Sequence, residues 1–154
     1  MLFLFGNGIC QNTYNNKEVV SRYFEEVVNE QKLELLNTVF ADSFRTHILI
    51  DDTQENNTLE SQKEFLTYLF NAFPDIHYTI GDLIEEGDRV VARVSLTATH
   101  KGQFWGYDAS GNKIDYLSEI FFYRFENGKV VEQWVQFDLH NLFRILGNNS
   151  ESNN

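Results

Sequence analysis

KVVEQWVQFDLHNLFRILG, residues 129–147, reads as a strand that runs directly into a helix, and the rest of the chain is organised around it. Alternation along the strand puts Glu132, Trp134, Gln136 and Asp138 on one face and Val131, Gln133, Val135 and Phe137 on the other. A large aromatic that shares its face with polar groups suits the wall of a partly wet cavity, so Trp134 and Gln136 are expected to touch a ligand. Asp138, at the end of that wall, has two readings. It is a general acid or base, or it caps the helix Asp138–Leu146 by accepting backbone N–H bonds.

Working back from this stretch, Ile76–Glu85, Arg89–His100 and Lys113–Phe125 are strands, joined by glycine-containing hairpin turns at Glu86-Gly87-Asp88 and, before Val130–Phe137, at Glu126-Asn127-Gly128. The longer link Lys101–Asn112, with Phe104 and Trp105, is expected to hang over one end of the sheet. Ahead of the strands, helical spacing predicts helices over Asn16–Asn29, Lys32–Phe40 and Thr58–Phe73, the last ended by Pro74. Ser43–Ile50 reads as a short extended segment with His47 in its middle, and Asp51–Asn57 as a polar loop. Helices followed by an antiparallel meander of four strands imply an α+β fold, with a pocket between the concave face of the sheet and the first helix. Residues 1–15 are expected to form an arm, 16–147 the domain and 148–154 a disordered tail.

A net charge of −11 argues against nucleic acid or an anionic membrane as partner, because phosphate contact needs clustered lysines and arginines. One cysteine, Cys10, leaves no intramolecular disulfide and no cysteine-based metal site, and a cytoplasmic protein is the simplest fit. The four histidines, His47, His77, His100 and His140, show no ligand spacing, so no metal is expected. The apolar opening MLFLFGNGIC lacks the charged start and cleavage site of a signal peptide, a lipid-anchored Cys10 is a remote alternative, and no segment approaches a membrane span. The 14 phenylalanines and 7 tyrosines are enough to line a large apolar interior, so the expected partner is a small hydrophobic molecule.

Several motifs occur together: NKEVVSRYFEEVVN at 16–29, FADSF at 40–44 with His47, FPD at 73–75, EGDRV at 86–90, THKGQF at 99–104, YRFENGKV at 123–130, and Trp134 four residues before Asp138. In combination they resemble the SnoaL-like polyketide cyclase or ester cyclase group of the nuclear transport factor two-like superfamily. The resemblance implies a cone-shaped curved antiparallel sheet packed against N-terminal helices, a cystatin-like α+β barrel, with no cofactor and a homodimer. It also implies an aspartate acid/base for intramolecular aldol closure, and Asp138 matches that position best.

The strand through Arg93 carries Val91, Arg93, Ser95, Thr97 and Thr99 on one face, opposite a uniformly apolar face. The Arg93 face lies either on solvent, with Arg93 a solvated arginine on the outer side of the sheet, or in a polar pocket. If the resemblance holds, Arg93 points inward and needs a carboxylate partner, Asp138 or Glu119. Glu119 lies between Leu117 and Phe121 in alternation, a buried acid whose pKa desolvation would raise, or an exposed edge residue. His47 is a second candidate acid/base or donor, while Tyr23, Phe24 and Phe104 are candidate walls. These parts suit proton abstraction next to a carbonyl, with Asp138 as base and Arg93 or His47 stabilising the enolate, in aldol cyclisation or isomerisation. A non-catalytic ligand-binding or dimerisation module is the competing reading. Epoxide hydrolysis of the limonene type ranks lower, because Ser95 stands where its Asp-Arg-Asp set needs a second carboxylate.

Overall fold

The computed structural model describes residues 15–48 and 53–147. The arm expected up to residue 15, with Cys10, and the tail expected at 148–154 fall outside the described residues, apart from Asn15.

Helix α1, Asn16–Arg22, starts where the Asn15 side chain accepts from the Glu18 backbone N–H at 3.3 Å. It widens into a π-helical turn over Tyr23–Asn29. The physical reason lies in the apolar pairs Val19-Val20, Tyr23-Phe24 and Val27-Val28, which recur every four residues. That spacing exceeds the 3.6 of an α-helix, and a wider turn keeps the pairs in line against the sheet. The helix expected over Lys32–Phe40 is shorter than its pattern: a 3₁₀ turn, Leu33–Leu35, leads into α2, Leu36–Val39, and Phe40 already opens strand β1, Phe40–Ile48.

Thr53–Thr58, expected as loop, is strand β2. Its polar sequence TQENNT gives no apolar alternation, and backbone pairing to β1 at the edge of the sheet defines it instead. Helix α3, Leu59–Ala72, begins at a capping box in which Thr58 and Ser61 exchange side-chain to backbone bonds of 3.2 and 2.9 Å. Strands β3 (His77–Glu86), β4 (Arg89–Thr99), β5 (Lys113–Glu126) and β6 (Lys129–Phe137) follow, then helix α4, Leu139–Gly147.

The sheet has six strands rather than the expected four, in the order β2-β1-β6-β5-β4-β3, and it is curved and open. Every neighbouring pair is antiparallel except β1 with β6, which run parallel. The buried side chains of α1, the π-helical turn and α3 pack on the concave face in one apolar core.

Two bulges set which residues face inward. On β5, Ile114 stands opposite Ala98 and Leu117 opposite Leu96, so the β5 phase shifts and Leu117, Glu119, Phe121, Tyr123 and Phe125 all turn to the core. On β6 the register slips at Val131, which leaves Gln133, Val135 and Phe137 on the inner face and Glu132, Trp134 and Gln136 on the outer one. The wall expected of Trp134 and Gln136 is therefore the wrong face of the strand.

Candidate functional site

A cavity of about 360 Å³ lies between the concave face of the sheet and the helices. Phe24 and Val28 of the π-helical turn, Leu66 and Phe73 at α3, and Leu96 and Phe121 of the sheet supply apolar walls. Phe104 and Trp105 of the β4–β5 loop line it as well. That loop is anchored on the end of α3, where the N–H groups of Lys101 and Gly102 both donate to Ala72 O, at 2.8 and 3.0 Å. Gly102 is required there, because a Cβ would stand 2.4 Å from Asn71 O. The loop then runs to Trp105, whose N–H donates to Tyr68 Oη at 2.7 Å and whose ring stacks on Phe104 at 4.7 Å.

Among the described residues one carboxylate enters this space. Glu119 is 6% exposed, and among the described residues its one hydrogen-bond donor is Tyr78 Oη, at 3.1 Å from Oε2. No cation pairs with it among the described residues. Burial pushes its carboxyl up to about 7 against a smaller lowering by the Tyr78 hydrogen bond. Tyr23 is raised too, by burial first; Gln62 Nε2 donates to its Oη at 3.5 Å and opposes that rise, while the Glu119 charge adds to it. The arrangement is a buried carboxyl raised toward neutrality beside phenols whose loss of a proton burial disfavours.

A second set of polar groups, without charge, lines the cavity where β6 meets β1. Gln133 Nε2 donates to Thr46 Oγ1 at 2.9 Å, Asn57 Nδ2 donates to the same oxygen at 2.9 Å, and Ser61 Oγ donates to Asn57 Oδ1 at 3.4 Å.

Of the residues expected at the site, Glu119, Tyr23, Phe24 and Phe104 line the cavity, and Asp138, Arg93, His47, Trp134 and Gln136 do not. Asp138 is exposed and caps α4, its Oδ1 accepting from Asn141 N–H at 3.0 Å while its carbonyl accepts from Leu142 N–H at 3.0 Å. Arg93 faces solvent on the outer side of β4 and donates through Nε to Asp82 at 2.7 Å. Its guanidinium lies across Gly81, where a Cβ would come within 2.8 Å of it; this glycine stands at a β3 bulge that makes the outward seat possible. An Asp-Arg-Asp set is therefore not assembled in the cavity. His47 is buried on the other face of the sheet, stacked on Trp134 at 4.7 Å and bonded through Nε2 to Glu132 Oε1 at 2.8 Å. Arg124 donates to Glu132 Oε2 at 2.9 Å, and Arg45 lies 3.6 Å from Oε1. Gln136 is exposed on that face.

Tyr78, Gln133 and Thr46 were not singled out from the sequence. Gln133 did carry a signal, since it is the one polar residue on the strand face it shares with Val131, Val135 and Phe137.

The family model for SnoaL-like polyketide cyclases matches residues 18–146. The chain belongs to this family. Solved structures agree on the fold: a SnoaL-like protein of Jannaschia sp. CCS1 is 23% identical with a TM-score of 0.78, covering 88% of this chain and 92% of its own. A proposed polyketide cyclase of Acidithiobacillus ferrooxidans is 27% identical with a TM-score of 0.75, covering 86% and 94%. AclR of Streptomyces galilaeus, a proposed hydroxylase, is 24% identical with a TM-score of 0.73, covering 86% and 80%. No curated protein matches this SnoaL-like chain. Among its described residues no three His, Cys, Asp or Glu side chains gather as a metal site, and no helix is long and apolar enough to cross a membrane.

Proposed function

We propose that this SnoaL-like protein binds a small hydrophobic carbonyl compound in the cavity and moves a proton at the carbon next to the carbonyl. Glu119 is the base, in place of the Asp138 expected from sequence. The observation that carries this reading is a carboxyl buried in the cavity beside one tyrosine donor and without a cationic partner among the described residues, a setting that pushes it up to about 7. A base of that strength is half ionised at neutral pH and can both take and return a proton. Tyr23 Oη accepts from Gln62, which leaves its own proton for the carbonyl oxygen as negative charge develops there. An enolate formed in this way serves isomerisation, in which Glu119 returns the proton to a different carbon, or aldol cyclisation, in which the enolate carbon adds to a second carbonyl of the ligand and Glu119 gives its proton to the alkoxide that results.

The test needs no native substrate. The methyl protons of 2-acetonaphthone exchange with deuterated water through an enolate, and NMR follows the rate. The protein should accelerate exchange, with a rate that rises with pH through about 7. Glu119→Gln should abolish the acceleration and keep ketone binding, and Tyr23→Phe should slow it about 100-fold. Acceleration that survives Glu119→Gln would sink the assignment. The outward seats of Asp138 and Arg93 favour a second reading, a module that only binds, and tight ketone binding without exchange in the unmodified protein would establish it.

The homodimer implied by the resemblance is proposed to form on the outer face of the sheet. There a cross-strand row of Ile84, Val91, Phe122 and Trp134 leaves Ile84 65% and Phe122 40% exposed. Sedimentation should show a dimer that Phe122→Asp converts to a monomer.

A further inference from the structure

Gln133 lines the cavity, is 5% exposed, and has a carbonyl oxygen with no hydrogen-bond partner. Tyr123, paired with it across the β5–β6 ladder and on the same inner face, has a phenol oxygen in the same condition. Buried polar atoms are nearly always paired, because leaving one unpaired forfeits its bonds to water. The orphan on Gln133, which lines the cavity, therefore marks a place where a hydrogen-bonding group is missing. The place is not at Glu119. Glu119 pairs with Phe137, four residues along β6 from Gln133, which is ~13 Å of strand.

The groups around Gln133 define what belongs there. Thr46, Asn57 and Ser61 are neutral, and among the described residues no cation or carboxylate lines this part of the cavity, so a charged group would be desolvated without compensation from them. The Gln133 carboxamide is held by Thr46 Oγ1, a hydroxyl that both donates and accepts, and the terminal torsion of a glutamine is soft. Whichever end of the amide is turned to Thr46, the other end remains unpaired. A hydroxyl satisfies either end.

We infer that Gln133 is a specificity-determining residue that receives an uncharged hydroxyl on the ligand, at the opposite end of the molecule from the carbon acid handled by Glu119. This rests on the cavity being the carbonyl-compound site proposed above, and it narrows the ligand to an elongated apolar ketone or ester with a distal hydroxyl.

Three rigid probes test it by calorimetry: 2-acetonaphthone, 6-hydroxy-2-acetonaphthone and 6-acetyl-2-naphthoic acid. The hydroxy ketone should bind about tenfold more tightly than the parent, the gain of a hydrogen bond to an otherwise unpaired group. The acid should bind more weakly than either. Gln133→Leu should erase the hydroxyl preference, so that 2-acetonaphthone and its 6-hydroxy derivative bind alike. The comparison of probes on the unmodified protein stands even where that variant does not fold. Equal affinity for parent and hydroxy ketone, as when a resident water already satisfies Gln133, overturns this inference and leaves the reading of the cavity intact. If none of the three binds, the reading of the cavity falls and this inference with it.

Discussion

Glu119 and Glu132 stand on neighbouring strands, on opposite faces of one sheet, and they are covered to almost the same extent, at 6% and 8% exposure. Their surroundings send them in opposite directions. Glu119 sits at depth with a single tyrosine donor, and desolvation pushes its carboxyl up to about 7. Glu132 lies just under the outer surface. Burial raises it, but hydrogen bonds from His47 and Arg124, with the charges of Arg45 and Arg124, outweigh that and hold it below the usual carboxylate range. The lesson is that coverage alone does not make a carboxylate reactive. Partners decide whether its charge is stabilised, and on the cavity side a single tyrosine is the one donor among the described residues.

The two glutamates should therefore give stability profiles of opposite slope, and substitution can break the contrast. Between the ordinary value of 4.5 and about 7, folded Glu119 holds a proton that the unfolded chain has released. The stability it contributes is full below 4.5 and is lost as the pH rises through 7. Glu119→Gln has no charge to bury, so at pH 8 it should be the more stable protein by up to about 3 kcal/mol, with no advantage at pH 4. Urea unfolding at the two pH values checks this, and an equal effect at both would show that the carboxylate carries no desolvation cost.

Glu132 runs the other way. Its contribution is present above the unfolded value and is lost as the pH falls through its lowered folded one. Glu132→Gln should destabilise at pH 7 by about 2 kcal/mol, less than for a fully buried pair because Arg45 and Arg124 keep partial contact with water. That loss should shrink in acid, and a loss that grows instead would contradict the ion cluster. Asp138→Ala removes the α4 cap and should cost about 1 kcal/mol without moving the pH profile of ketone exchange. Any shift of that profile would put Asp138 back among the proton-transfer groups. The smallest effect belongs to Arg93→Ala, within about 0.5 kcal/mol because its pair with Asp82 is exposed. Loss of exchange activity in that variant would move the chemistry to the outer face.

How far the site could be read depended on the type of signal. Glu119 was legible as a polar residue in an apolar alternation between Leu117 and Phe121, since such a side chain must either pair or meet a ligand. Trp134 misled for a related reason. Its company of polar residues looked like a cavity wall, but His47, Arg45 and Arg124 approach from β1 and β5 and make the outer face polar and partly buried as well. Asp138 carried two readings that local sequence does not separate, because a cap and a catalytic acid both begin as a carboxylate between a strand and a helix.

By itself the sequence determined the α+β class, the hairpins from Ile76 onward, the helix ended by Pro74, the covering loop and the family, because each rests on periodicity, turn residues or motifs within a short window. Only the tertiary structure decided the rest. The β1–β6 pairing joins residues such as His47 and Trp134 that are far apart in the chain, and the β1–β2 pairing makes a strand of the polar segment Thr53–Thr58. Alternation divides a strand into two faces but does not say which one looks inward. The bulges at Val131 and between Ile114 and Leu117 set that phase, and with it the choice of Glu119 over Asp138 for the cavity.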